Sequence, residues 1–132
     1  MRPFRRRQHE PAALSELPPL DVDVTQTAYG ALVAIAGELD IATVPHVSAA
    51  LEAEPAASAG AVAVDLTGVT FMDSTGLAAL VKLEHALAAR AGRLAVACPE
   101  GPARLLLDVT GLAEQLAVYA TRAEAEAAAS AG

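Results

Sequence analysis

The spacing of apolar and polar residues predicts that strands and helices alternate along most of the chain. Residues 20–26, LDVDVTQ, alternate between apolar and polar, which is typical of a strand with one solvated face. Residues 31–40 continue as a second strand after a hairpin turn at Gly30. Residues 61–66, AVAVDL, are almost wholly apolar, as expected of a central strand that is buried on both faces.

Helical periodicity follows these strands. In residues 43–54, Pro45 suits the first turn of a helix, and Thr43 before it is a suitable N-cap. Residues 74–90 form the strongest helical pattern in the chain, because leucines recur on one face while charged residues lie largely elsewhere.

The remaining elements are shorter. Thr121 and Glu124 have the spacing of a capping box, which predicts the start of a last helix. The segments are strands at 91–98 and 115–120 and helices at 102–109 and 121–130. The order β-β-α-β-α-β-α-β-α predicts a single α/β domain in which a mixed, mostly parallel sheet has helices packed on it.

Candidate functional residues follow two of the predicted strands. Asp40 comes after the second strand, and Asp73 and Ser74 come shortly after the third. In largely parallel sheets, functional sites gather at the carboxyl ends of strands, where loops enter helices. Asp40 and Ser74 are therefore predicted to lie at the same edge of the sheet.

The composition fits one domain with a core of its own. The chain has 132 residues, of which 54% are hydrophobic and 3% aromatic, so aliphatic side chains supply most of the packing. We predict a flexible extension at 1–18, the domain at 19–127 and a tail at 128–132. No apolar run reaches the roughly 18 residues of a membrane span, and no apolar segment follows the basic N-terminus as in a signal peptide. We therefore expect a cytoplasmic protein in which Cys98, beside an apolar run, is a buried and inert thiol.

Charge is distributed unevenly along the chain. The net charge is −7, but residues 1–18 hold four arginines against two glutamates, which gives +2. The remainder holds five basic and fourteen acidic residues, which gives −9. An acidic body argues against nucleic acid as the main partner.

The segment FMDSTG raises the question of what Ser74 does. A nucleophile elbow has glycine two residues before the serine, where this chain has Met72. A serine hydrolase also needs a histidine as base. His9 lies in the extension, and His46 and His85 are predicted to be exposed on helices. The hydrolase hypothesis is therefore weak.

The same region lacks the features of a cofactor site. A phosphate-binding loop needs a lysine and several glycines, which LTGVTFMDSTG does not supply. The sequence has no paired Cys/His spacing for zinc, and its aspartates are too scattered to indicate a magnesium site. We assign no cofactor and no metal.

Two interpretations of the helix start at Ser74 are compatible. Asp73 or Ser74 can act as an N-cap, which contributes about 1 kcal/mol. A helix N-terminus also suits a covalent phosphate, because its N–H groups are unpaired and its dipole favours negative charge. A phosphoserine would place a charge of about −1.5 to −2 next to Asp73 and would oppose a partner that packs against the neutral hydroxyl.

Three segments resemble one known family. VAVDLTGVTFMDSTGLAALVKL resembles the central motif of STAS-domain proteins, in particular the bacterial anti-sigma factor antagonists, or anti-anti-sigma factors. IAGELDIATVPHV resembles the strand-loop-helix of that family, and LLLDVTGL resembles its late helix with a glycine-leucine turn. The resemblance covers about residues 20–127 and implies a STAS-like fold.

The resemblance implies a non-enzymatic switch. When unphosphorylated, such proteins bind an anti-sigma factor, commonly a serine kinase of the histidine-kinase-like ATPase fold, and a sigma factor is released. The kinase phosphorylates the serine after the aspartate of the motif, and a metal-dependent serine phosphatase reverses the reaction. By this resemblance Ser74 is the phosphoacceptor, and no catalytic residue is expected.

The resemblance also implies a partner-binding surface. Its members are Asp40, Asp73, Ser74, Thr75, Gly76, Leu77 and Gly111. Thr75 stands where some family members have a second serine, so it is a candidate for a minor acceptor. The alternative is a STAS subunit of a lipid transporter or of a stress-signalling scaffold, which need not depend on a phosphoserine.

Overall fold

The computed structural model, which describes residues 4–7 and 20–131, contains one six-stranded sheet in the order β1-β2-β3-β4-β5-β6. The strands are β1 Phe4–Arg7, β2 Leu20–Gln26, β3 Gly30–Leu39, β4 Ala61–Met72, β5 Arg93–Ala97 and β6 Val118–Tyr119. The helices are α1 Val44–Leu51, α2 Ser74–Ala89, α3 Pro102–Val109, α4 Leu112–Gln115 and α5 Arg122–Ser130, with a short 3₁₀ helix at Ala56–Ser58.

The sheet is mixed and mostly parallel. Strands β1, β2 and β3 are antiparallel neighbours, and β3, β4, β5 and β6 are parallel neighbours. The β2–β3 turn closes where Thr27 and Gly30 exchange backbone hydrogen bonds of 3.0 and 3.2 Å. Helices lie between successive parallel strands, because a parallel connection needs a crossover. The predicted α/β class is confirmed.

Helices cover the two faces of the sheet with different side chains. On one face, branched aliphatic residues such as Val62 and Val64 join a core with Leu80 of α2. On the opposite face, Ala63 of β4 belongs to a second, alanine-rich cluster with Ala125 of α5. All five are at most 1% exposed. Since alternate residues of a strand point to opposite faces, the valine-alanine alternation of β4 builds both clusters.

Two polar contacts fasten α5 to the sheet. Arg122 Nε donates a hydrogen bond of 2.6 Å to Asp65 Oδ2 of β4. The Tyr29 hydroxyl donates to Glu126 Oε2, also at 2.6 Å. Burial and the carboxylate of Glu126 both raise the pKa of Tyr29, so the phenol stays protonated and remains the donor.

The ends of α5 refine the predicted boundaries. The predicted capping box is confirmed, with Thr121 Oγ1 accepting from Glu124 N at 3.1 Å and Glu124 Oε1 accepting from Thr121 N at 3.2 Å. The helix continues to Ser130, and Ala129 is buried. The predicted end of this helix at residue 130 is confirmed, and residues 128–130, which were also predicted as part of the tail at 128–132, belong to the packed helix.

Other elements differ from the prediction in length. Strand β4 continues beyond the predicted end at residue 66 to Met72, because it keeps its pairing with β3 after β5 has ended. Strand β6 is confined to Val118–Tyr119, and the short helix α4 was not predicted. Residues 4–7, which the prediction placed in the flexible extension at 1–18, form β1 and pair with β2. The rest of that extension lies outside the described residues.

Two further predictions concern burial and membranes. Cys98 is buried as predicted, and burial raises the pKa of its thiol, which disfavours the reactive thiolate. Among the residues that the structure describes, no helix combines the length and the apolar character needed to cross a bilayer.

Candidate functional site

Two loops meet at the carboxyl ends of β3 and β4. Leu39 is the register partner of Met72, the last residue of β4. One residue further, the backbone N–H of Asp73 donates a hydrogen bond of 3.2 Å to the carbonyl of Leu39. The loop with Asp40 and the loop with Ser74 are therefore joined, and both residues lie at the predicted edge of the sheet.

Asp73 is the N-cap of α2, which confirms one of the two predicted capping residues. Its Oδ1 accepts from Thr75 N at 2.9 Å and from Thr75 Oγ1 at 2.5 Å. Its backbone carbonyl accepts from the N–H groups of Gly76 and Leu77 at 3.1 and 3.3 Å. Asp73 therefore already occupies the N–H groups of these three residues, so they are not among the unpaired N–H groups expected at this helix start. The expectation that the helix start favours a phosphate on Ser74 stays a prediction.

The carboxylate of Asp73 is stabilised in its charged form. Its pKa is held below the usual range, chiefly by the hydrogen bond from the Thr75 side chain and further by backbone N–H groups, including that of Ile41 in the neighbouring loop. Asp73 is therefore ionised at neutral pH and contacts both loops.

Ser74 differs from its neighbours in having an available hydroxyl. Its side chain is exposed, whereas Asp73 and Thr75 are half-buried. Among the described residues, no hydrogen-bond partner is found for the Ser74 hydroxyl. The group is thus presented to solvent on a rigid helix start.

The loop after β3 is held by Asp40 and Thr43. Asp40 Oδ1 accepts from Ala42 N at 2.9 Å and from Thr43 N at 3.1 Å. Thr43 Oγ1 accepts from Asp40 N at 2.9 Å and donates to the carbonyl of Glu38 at 2.7 Å. Thr43 precedes α1 as predicted, but its side chain makes no hydrogen bond to the helix. The predicted cap is wrong in that respect, because this buried hydroxyl shapes the loop.

Gly76 and Leu77 support the site from within. A Cβ atom added to Gly76 would lie 2.7 Å from Met72 Cγ and 2.9 Å from Leu39 Cγ, so the absence of a side chain lets α2 approach the ends of β3 and β4. Leu77 is only 6% exposed and belongs to the core. Any contact of these two residues with a partner would involve backbone rather than side-chain atoms.

Two exposed apolar residues beside Ser74 were missed by the sequence analysis. Ile41 is 74% exposed in the loop after β3, and Phe71 is 47% exposed near the end of β4. Phe71 lies within the quoted motif, and its neighbour Met72 is buried, so the alternation along β4 was a usable signal. We name these two residues and Ser74, which follow or end the strands β3 and β4 at their carboxyl ends, the Ser74 edge: Ile41, Phe71 and Ser74.

Three further predicted residues lie outside the Ser74 edge, namely Gly111, His46 and His85. Gly111 has φ +81°, which suits the turn between α3 and α4, and its place in a partner interface stays a prediction. His46 and His85 are exposed, as predicted.

Comparisons with known proteins point to one family. A family model for the STAS domain matches residues 20–125. The anti-sigma-B factor antagonist of Listeria monocytogenes is 35% identical over 80 residues, which are 61% of this chain and 70% of that protein. The crystal structure of an anti-sigma factor antagonist from Mycobacterium paratuberculosis matches with a TM-score of 0.76 and 28% identity, over 83% of this chain and 93% of that one.

More distant structures share the fold. The unphosphorylated form of the anti-sigma factor antagonist SpoIIAA matches with a TM-score of 0.63 and 20% identity, over 74% of this chain and 87% of that one. The phosphorylated form of the Bacillus cell fate determinant SpoIIAA matches with a TM-score of 0.60 and 21% identity, over 81% of this chain and 98% of that one.

The family match also bears on the hydrolase hypothesis. Anti-sigma factor antagonists of the STAS family are regulatory binding proteins and not enzymes. The family model covers most of the described domain, and the two relatives with the higher identities are named an anti-sigma-B factor antagonist and an anti-sigma factor antagonist. This chain therefore belongs to the STAS domain family, and the relatives that it resembles are named anti-sigma factor antagonists.

Proposed function

We propose that this protein is an anti-sigma factor antagonist that is controlled by phosphorylation of Ser74. In its unphosphorylated form it binds an anti-sigma factor, which is itself a serine kinase of the histidine-kinase-like ATPase fold, and a sigma factor is released. The observation that carries the proposal is the exposed Ser74 hydroxyl, which has no hydrogen-bond partner among the described residues and begins a capped helix in a chain related to such antagonists.

The composition of the Ser74 edge supports a binding role. Ile41 and Phe71 are large apolar side chains at a site where the chain itself leaves them in water. Burial of apolar area by a partner stabilises a complex by about 25 cal/mol per Å² before the costs of association. A neutral hydroxyl is cheap to bury when the partner supplies one hydrogen bond.

Phosphorylation would change this surface by charge. A phosphoserine adds about −1.5 to −2 charge next to the ionised Asp73. Asp73 already occupies the N–H groups of Thr75, Gly76 and Leu77, so the phosphate would project toward the partner instead of being held by them. A mismatch of about 3 kcal/mol would weaken binding by roughly a hundredfold.

The proposal includes the other participants of the switch. The anti-sigma kinase would transfer the phosphate, and a metal-dependent serine phosphatase would remove it. SpoIIAA, a structural neighbour, has a phosphorylated form, which supports a cycle of this kind. A cytoplasmic location belongs to the proposal, since a partner that controls a sigma factor has to meet it where transcription takes place.

The test begins with affinity capture from the native cell, using wild-type and Ser74→Ala baits, and identification of the partners by mass spectrometry. The captured kinase is then purified and incubated with ATP and each bait. We expect one phosphate on the wild-type protein and on the control Ser130→Ala, which alters an exposed serine at the end of α5. We expect none on Ser74→Ala, and phosphorylation of that variant would refute the site assignment.

A second measurement addresses the switch. Ser74→Asp should bind the anti-sigma factor at least tenfold more weakly than Ser74→Ala does. Equal affinities would contradict the charge mechanism. Co-purification with transporter subunits, or assembly into a megadalton particle, would favour the alternative STAS function instead.

A further inference from the structure

Ser74 and Thr75 are adjacent hydroxyl residues in different states. Thr75 Oγ1 donates to Asp73 Oδ1 at 2.5 Å, and the same carboxylate oxygen accepts from Thr75 N at 2.9 Å. Thr75 is half-buried, whereas Ser74 is exposed and has no comparable bond among the described residues. A kinase that reached this helix start would meet the Thr75 hydroxyl in a hydrogen bond to Asp73 and the Ser74 hydroxyl without such a bond.

The bond to Thr75 is charge-assisted. Asp73 caps the helix, is ionised at neutral pH and directs one oxygen at both the N–H and the hydroxyl of Thr75. Hydrogen bonds to ionised groups are shorter and about twice as strong as neutral ones. The Thr75 side chain is therefore fixed with its oxygen toward Asp73.

We propose that Asp73 is a positioning residue that directs phosphorylation to Ser74 by holding the Thr75 hydroxyl out of the reaction. This inference rests on the proposed function. In the transfer, Ser74 Oγ attacks the γ-phosphorus of a nucleoside triphosphate on the kinase, the bond to the leaving diphosphate breaks, and the hydroxyl proton passes to a base of the kinase.

Thr75 could undergo the same step only after its hydroxyl leaves Asp73. Until then, its oxygen lies beside a negative carboxylate, which repels the triphosphate. The hydrogen bond between Thr75 and Asp73 has to break before Thr75 can react, and its free energy adds to the barrier. The rate of phosphorylation at Thr75 is therefore lower by about ten- to a hundredfold. The sequence DST thus contains two hydroxyl groups, but only that of Ser74 is available as a phosphate acceptor.

The test compares Ser74→Ala with the double variant Asp73→Gly/Ser74→Ala, each incubated with the anti-sigma kinase and ATP. Glycine removes the carboxylate but is tolerated at an N-cap. Peptide-resolved mass spectrometry should find at least tenfold more phosphothreonine at Thr75 in the double variant. Adding Thr75→Ala to it is the matched control and should abolish the signal. Circular dichroism confirms that each variant is folded.

A kinase-free measurement follows the bond itself. Three-bond NMR couplings of Thr75 should report one side-chain rotamer in the wild-type protein and averaging over rotamers in Asp73→Gly. One rotamer in both proteins would show that Asp73 does not hold Thr75, and would overturn the proposal.

The kinase experiment has distinguishable failures. If Ser74 of Asp73→Gly is phosphorylated while Thr75 of the double variant is not, the positioning role is wrong and the proposed function stands. If Thr75 is phosphorylated less in the double variant than in Ser74→Ala, Asp73 activates the Thr75 hydroxyl. If removal of Asp73 abolishes phosphorylation at both Ser74 and Thr75, Asp73 docks the kinase. Either result overturns the positioning role. An unphosphorylated wild-type protein overturns both proposals.

Discussion

Arg122, the first residue of α5, donates a hydrogen bond of 2.6 Å to Asp65, which lies in the central strand β4 and is only 4% exposed. The second carboxylate oxygen accepts from Thr67 N at 2.8 Å. A buried carboxylate is costly unless it is paired and hydrogen-bonded. This pair therefore links the last helix to the sheet, and removal of Arg122 would leave the buried carboxylate without its charged partner.

Arg122→Ala should lower the free energy of unfolding by about 1–3 kcal/mol, because Asp65 loses its charged partner. Arg122 is 49% exposed, so water replaces part of what is lost. Urea denaturation measures the change. Lys82→Ala is the control, since Lys82 and Glu52 are exposed and 3.5 Å apart, and should cost only about 0–0.5 kcal/mol. Equal small losses would contradict the role given to Arg122.

The stability of the protein should also depend on pH through Asp65. Burial raises the pKa of this group, but the hydrogen bonds from Thr67 and Arg122 outweigh it, and the pKa lies below its usual value. The unfolded value is about 3.9. A depressed folded pKa contributes stability that is present above the unfolded value and is lost as pH falls through the folded value.

Asp65→Asn should therefore flatten the loss of stability that occurs as pH falls below about 4. The measurement is urea denaturation at a series of pH values, and the slope is compared because the variant also starts from a lower stability. Asp73, whose pKa is also lowered, leaves some slope in the variant. A slope identical to the wild type would show that Asp65 is not a source of the acid sensitivity.

How far the sequence predicts this protein depends on whether a pattern is local. The alternation of β2, the leucine face of α2 and the capping box of Thr121 and Glu124 involve residues close in sequence, and each is confirmed. The full length of β4 was not predictable in this way, because residues beyond 66 stay in the strand through pairing with β3 after β5 has ended.

The candidate site shows the same division. Asp73 and Ser74 follow from the motif and the helix start. Thr43 is the N-cap residue of α1 as predicted, but its hydroxyl donates to the carbonyl of Glu38, a partner that only the folded loop supplies. Phe71 lies beyond the predicted end of its strand, and its place at the exposed end of β4 follows from pairing with β3 that continues after β5 has ended.

Gly76→Ala should destabilise the protein by about 1–3 kcal/mol, because the added methyl group would overpack Leu39 and Met72. Thermal or urea unfolding measures the effect. Gly60→Ala is a matched control, since a Cβ there meets nothing within 4 Å and the backbone is not left-handed. It should be neutral or slightly stabilising, through a stiffer unfolded chain. A Gly76→Ala protein as stable as the control would show that α2 needs no close approach to β3 and β4.

The Ser74 edge gives the last prediction. Ile41→Ala and Phe71→Ala should each weaken binding of the purified anti-sigma kinase by about tenfold, because exposed apolar anchors at an interface are common hot spots. Isothermal titration calorimetry measures the affinity. The free energy of unfolding should change by less than about 0.5 kcal/mol, since both side chains are in water in the free protein.

Leu105→Ala is the control for this pair. Leu105 is 62% exposed on α3, which carries none of the three residues of the Ser74 edge, and the substitution removes a comparable apolar side chain. We expect its affinity for the kinase to match that of the wild type. Unchanged binding by both Ile41→Ala and Phe71→Ala would show that the partner does not cover the Ser74 edge, and the phosphate on Ser74 would then have to act on a surface elsewhere.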